Sequence, residues 1–179
     1  MKIIDRLPIP DADVLAYVGA ESVRLKANQI IVWISLAVES AANWSPTTPR
    51  FPAILDTGHT HNLAIQHQHL TRWAGLHPDR MRRLGHVRHL GKKRDLYAAN
   101  AWLHCNQPGT TGISSEEPLF LKLLYGIAVH PDDEKFPRLP ILGLRAILSN
   151  NLHLAIDGQH ATVTLRTPDW RTRLLTWWA

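Results

Sequence analysis

Apolar positions fall along this chain in short runs with the character of strands. Ile30-Ile31-Val32-Trp33-Ile34-Ser35-Leu36-Ala37-Val38 is rich in β-branched and aromatic residues and reads as a buried strand. Ser45-Pro46-Thr47-Thr48-Pro49 then forms a loop, because two prolines so close interrupt any ladder. Pro52-Ala53-Ile54-Leu55 is a second apolar run, and it stops on Asp56-Thr57-Gly58. Residues 81–91, punctuated by Gly85 and Gly91, suit a hairpin. Leu96 to Cys105 and Leu119 to Val129 read as strands on either side of a loop at 106–118 rich in Gly, Pro, Ser and Thr. Leu152 to Ile156 and Ala161 to Leu165 alternate around Asp157-Gly158, a short-range hairpin signal.

Helical signals are few. After the extended lead-in Leu7-Pro8-Ile9-Pro10, Asp11 has the character of an N-cap. Val14, Leu15 and Val18 share one helical face and Gly19 supplies a stop, so the spacing predicts a two-turn helix. Gln68 to Gly75 suits one or two helical turns, and Leu144 to Leu148 a short helix directly after Ile141-Leu142-Gly143. The pattern is that of a mostly β chain with two or three short helices. It divides into an N-terminal extension with a short helix (1–28), a main domain (29–165) and a Trp-rich tail (166–179) carrying Trp170, Trp177 and Trp178.

Composition narrows the class. A length of 179 residues suits one domain with a sizeable core, and 45% hydrophobic with 20% charged residues is ordinary for a globular protein. Long disorder, collagen-like repeats and disulfide miniproteins are excluded. The most apolar stretch, Ile30 to Val38, is far shorter than the roughly 20 residues needed to span a bilayer. Met1-Lys2-Ile3-Ile4-Asp5 lacks the apolar run of a signal peptide. Cys105 is the single cysteine, so no intramolecular disulfide forms, and a reducing, cytoplasmic location with no membrane partner is expected.

The net charge of +5 is uneven: Arg80, Arg82, Arg83, Arg88, Lys92, Lys93 and Arg94 lie close together, with His86 and His89 among them. Such a stretch can hold phosphate. A solvated hairpin explains it better, since no zinc-finger, RNA-recognition or helix-turn-helix signature accompanies it. Nucleic acid is therefore the less favoured partner.

Two segments carry candidate chemistry. Ala53-Ile54-Leu55-Asp56-Thr57-Gly58 places a carboxylate at the end of a buried strand, where Gly58 allows close backbone approach and an N–H toward it. The hydroxyl of Thr57 can bond another backbone across an interface. Ile141-Leu142-Gly143, 87 positions after Asp56, runs straight into Leu144-Arg145-Ala146-Ile147-Leu148. Together, in this order, the segments resemble the retropepsin-like aspartic proteases, single-lobed relatives of pepsin, over roughly residues 29 to 165.

The resemblance implies a closed β-barrel of the acid protease type. It implies an aspartic endopeptidase that works as a homodimer on a peptide or protein substrate, with Asp56 catalytic, Thr57 and Gly58 supporting the loop, and no metal or cofactor. His59, Ile141, Leu142 and Gly143 would line the cleft. A hairpin over 82–97 would serve as a flap, with Leu84, Gly85, His86, Val87 and Arg88, or Leu90 and Gly91, at its tip, and its basic charge would favour acidic substrates. The chain departs from the family in three ways. His59 stands where Ala or Ser is usual, Leu144 stands where many retroviral members have Arg (with Arg145 one place on), and the span between motifs is longer. The alternative is a catalytically inactive module of the same fold that dimerises or binds peptides.

Other constellations give weaker rivals. His59, His61, His67, His69 and His77 crowd nineteen residues, and His-x-His on a strand can bind zinc, but loop histidines on a basic surface are the commoner arrangement. Cys105 reads as a buried structural thiol, because its neighbour His104 points to the opposite face of a strand. The tail tryptophans suit a core edge or a dimer interface better than base stacking.

Overall fold

A computed structural model describes residues 1–89, 91–133 and 137–168. The expected Trp-rich tail, with Trp170, Trp177 and Trp178, lies outside the described residues, as does Leu90. Three strands come first: β1 (Lys2–Pro8), β2 (Val14–Val18) and β3 (Glu21–Leu25). They are followed by β4 (Ile31–Val38), β5 (Phe51–Asp56) and β6 (Leu63–Gln66), which runs directly into α1 (His67–Ala74). The middle of the chain supplies β7 (Arg83–His89), β8 (Lys92–Tyr97), β9 (Ala99–Leu103), β10 (Leu119–Leu121) and β11 (Ile127–His130). β12 (Ile141–Gly143), α2 (Leu144–Ser149), β13 (His153–Asp157) and β14 (Thr162–Arg166) complete it.

The chain is mostly β, and most strands join one mixed sheet in the order β10-β9-β4-β5-β12-β6-β11-β8-β7. Its two ends, β10 and β7, are not hydrogen-bonded to each other, so among the described residues the ladder does not close into the expected barrel. The first strand and the last two described strands form a separate antiparallel sheet, β1-β14-β13. Both sheets feed one core. Ile3, Ile4 and Leu165 of the terminal sheet belong to the same buried cluster as Ile34, Phe51, Leu63 and Leu142 of the large one. Buried Asn106, in the loop after β9, ties that loop to β1: its side chain accepts the Asp5 N–H at 2.8 Å and donates to the carbonyls of Asp5 and Thr110. No helix of the described residues is long and apolar enough to cross a membrane.

Three expectations need correction. The helix predicted after Asp11 is instead the antiparallel hairpin β2–β3, with Val18 opposite Glu21. Val14, Tyr17 and Val18 favour an extended chain, and Gly19 at φ 59° makes the hairpin turn. Asp13 caps no helix; its carboxylate accepts the N–H of Ala27 at 2.9 Å and the Arg24 Nε–H at 2.7 Å. The single strand expected from Leu96 to Cys105 breaks at Ala98, because β8 pairs with β7 and β11 while β9 pairs with β4 and β10. The strand expected from Leu119 to Val129 is split by a turn in which Gly126, at φ 68°, donates to the carbonyl of Leu123. A Cβ on Gly126 would lie 2.1 Å from the carbonyl oxygen of Tyr97, so only glycine fits there.

Candidate active site

The centre of the large sheet positions Asp56. Phe51, Ala53 and Leu55 of β5 are buried, so the strand is anchored up to its last residue. β12 runs parallel to β5 with Ile141 opposite Ile54, Leu142 opposite Leu55 and Gly143 opposite Asp56. The two segments singled out in the sequence are thus hydrogen-bonded neighbours, although 87 positions separate Asp56 from Gly143. The chain leaves β5 in a tight turn. Gly58 N–H donates to Asp56 Oδ1 at 2.8 Å, and His59 N–H donates to the Asp56 carbonyl at 3.2 Å.

The Asp56 carboxylate is therefore held by a backbone donor while remaining half-exposed, with Thr57 and Gly58 open to solvent beside it. The Thr57 side chain makes no hydrogen bond among the described residues.

Gly143 is a point of close contact. A Cβ there would meet the carbonyl oxygens of His61 at 2.1 Å and of His59 at 2.5 Å. Its own N–H donates to the Asn62 carbonyl at 2.9 Å, and Leu144 N–H, opening α2, donates to the His59 carbonyl at 2.8 Å. The loop after Asp56 is thereby laced to the end of β12 and the start of α2. His59 is buried with its ring edge beside Gly143, and it meets the His61 ring edge-on at 5.4 Å.

Leu84, Gly85, His86, Val87 and Arg88 lie along β7, the edge strand of the hairpin, and not at its tip. The tip falls after His89 and Lys92 pair, at Gly91 with φ 76°. His86 and Val87 line a pocket of about 220 Å³ together with His61, Asn62, Tyr125 and Arg145. Asn62 Nδ2 donates to the Gly126 carbonyl at 3.4 Å and so links the Asp56 loop to the turn that carries Tyr125. The Arg145 guanidinium sits 4.7 Å from the centre of the Tyr125 ring.

Asn62, Tyr125, Gly126 and Arg145 were not candidates from sequence. Only Arg145 left a trace there, as a cation two places after the glycine. A larger cavity of about 590 Å³ lies elsewhere, between His67, Arg83, Lys93, Arg94, His130 and Asp132. Within it Arg83 pairs with Asp95 and His67 bonds Asp132, and Asp56 is not among its lining residues.

The remaining candidates separate. His67 bonds Asp132, and His69 stacks on Trp73 at 4.0 Å, so the crowded histidines serve different contacts. Burial holds the His69 pKa down to about 4. Among the described residues no group of three or more His, Cys, Asp or Glu side chains is placed to hold a metal ion. Cys105 is buried, and burial raises its thiol pKa. His104 turns away from it to meet Ser35 Oγ at 2.7 Å, and burial brings the His104 pKa down to about 4. Within the basic stretch, Arg82 forms a two-pronged pair with Glu39 and the buried Arg94 bonds His130. Comparison of the chain with protein-family models, with curated proteins and with solved structures finds no match.

Proposed function

We propose that the protein is an aspartic endopeptidase of retropepsin type that acts as a homodimer, each subunit contributing Asp56. The observation that carries this reading is the parallel register of β5 and β12, which sets Gly143 level with Asp56 while the carboxylate stays half-exposed on the Gly58 N–H. The hairpin β7–β8, whose His86 and Val87 reach the same side as the Asp56 loop, supports a flap. The exposed Thr57, with no partner for its hydroxyl among the described residues, suits a loop that is completed by a second subunit.

In this mechanism Asp56 and Asp56 of the partner subunit share one proton, because two carboxylates about 3 Å apart cannot both ionise. The ionised carboxylate takes a proton from a water held between them, and the protonated one polarises the scissile carbonyl. The pair exchange roles as the amine leaves. Gly58 keeps one oxygen fixed, and the flap excludes bulk water.

The test is cleavage of a mixed peptide library from acidic to neutral pH by the parent and by Asp56→Asn, with the oligomeric state of both measured. Cleavage by a dimeric parent that falls by three orders of magnitude or more (about 4 kcal/mol of barrier) in the variant is the expected result. A dimer that cuts nothing, or cutting that survives Asp56→Asn, overturns it. In the first of those cases a peptide-binding module of the same fold becomes the better reading.

A further inference from the structure

We infer that the pocket between the β7–β8 hairpin and α2 receives an acidic side chain of the peptide, with Arg145 as its counter-charge. The inference rests on the peptidase reading for its substrate and on the pocket for its chemistry. Position comes first. Two walls continue from the Asp56 loop, because His61 and Asn62 follow it directly and their carbonyls abut Gly143, the residue level with Asp56. Arg145 is two residues beyond Gly143, and His86 and Val87 come from the hairpin. Asp56 does not line the pocket. A volume of about 220 Å³ is below the span of sites that take whole small molecules, and it suits a single side chain.

Charge decides which side chain. Arg145 is the permanent cation of the pocket, His61 and His86 line it too, and no Asp or Glu is among the lining residues. Among the described residues no carboxylate pairs with Arg145. What holds the guanidinium is the face of Tyr125, at 4.7 Å. A cation–π contact of this kind does not consume the N–H donors, so the fork stays available for two parallel bonds to a carboxylate. Leu96 and Ala128 contribute apolar wall beside such a pair. A basic side chain would be repelled there, and a neutral amide would give up the charge-assisted part of the bond.

The experiment scans each peptide position with Glu, Gln and Lys. It reads cleavage by the parent protein and, separately, equilibrium binding of the same labelled peptides to Asp56→Asn, which cannot cut them under the peptidase reading. At one position Glu is expected to exceed Gln by roughly 10- to 100-fold, the range of one charge-assisted hydrogen-bonded pair. Arg145→Gln should bring that ratio near one, Arg145→Glu should turn the preference toward Lys, and Arg145→Lys should keep part of it. These variants change an accessible side chain, and thermal unfolding checks that each is folded. An Arg145-dependent Glu preference in binding supports the pocket even if nothing is cleaved, in which case only the peptidase reading falls. Asp56-dependent cleavage with no Glu preference, or with one that survives Arg145→Gln, overturns the pocket and leaves the peptidase. Neither binding nor cleavage overturns both.

Discussion

The middle of the large sheet and its β7 edge are built on different terms. β5, β12 and β6 each have a strand on both sides, and Ala64, Ile65 and Leu142 are at most 1% exposed. At Gly143 the backbones of β12 and of the His59–His61 loop meet with no room for a methyl group. β7 has one neighbour, and its Gly85 has nothing within 4 Å of where a Cβ would stand. Arg88 and Lys93, two like charges, lie directly opposite each other in that hairpin. The proposed chemistry thus sits where packing leaves the backbone no choice, and only the hairpin wall of the proposed pocket, His86 and Val87, sits where side chains can change without disturbing the core.

A pair of glycine substitutions would break this comparison most directly. Gly143→Ala puts a Cβ within 2.1 Å of the His61 carbonyl, an overlap that the laced backbone cannot relieve cheaply. A loss of about 3 kcal/mol or more is expected, enough to leave much of the protein unfolded. Gly85→Ala meets no atoms, but its φ of 141° strains any L residue, at about 1–2 kcal/mol. Urea unfolding of the two variants measures both. Equal losses would mean that the edge is as tightly determined as the centre.

That same distinction governs what the sequence discloses. The strand ending at Asp56 and the Ile141-Leu142-Gly143 element with its helix are legible because a buried strand needs an apolar run and a sharp exit needs glycine. The β13–β14 hairpin is legible around Asp157, although Ala161, at φ 47°, bears the strained position. Val14, Leu15 and Val18 mislead because three apolar residues fit a helical face and an exposed strand equally well. Only the register with Glu21–Leu25 decides between them. Arg145 and Tyr125 could not be paired from sequence, since twenty positions separate them and their contact depends on how α2 docks beside the Gly126 turn.

Buried histidines should also set the response to acid. His104 is buried against Ser35 with a pKa of about 4 in the folded protein, against about 6.5 when unfolded. The unfolded chain therefore binds the proton first as pH falls, so stability is full above pH 6.5 and declines down to about pH 4. His69, stacked on Trp73 with a pKa also near 4, acts with the same sign over the same window. The His104 share is up to about 3 kcal/mol. Denaturation midpoints across pH 4 to 7 should fall toward acid, and His104→Asn should flatten the fall. An unchanged slope in that variant would place the acid sensitivity elsewhere.

The smallest expected effect lies at the edge and has the opposite direction, a gain. Arg88 faces Lys93 across β7 and β8, so the hairpin carries a like-charge pair where opposite charges would attract. Arg88→Glu converts that pair into an attractive one and should stabilise the protein by a few tenths of a kcal/mol, up to about 1 kcal/mol. Both side chains are exposed, so salt should screen the gain. Unfolding in urea at about 0.02 M and 0.5 M ionic strength separates this cause from a change in packing, because only the electrostatic part disappears at high salt. The control is Arg88→Ala, which removes the repulsion without adding attraction and should fall between parent and Glu variant. A gain for Arg88→Glu that persists at high salt would mean that side-chain packing, and not charge, limits this edge. The contrast between a packed centre and a chemically adjustable rim would then need to be redrawn.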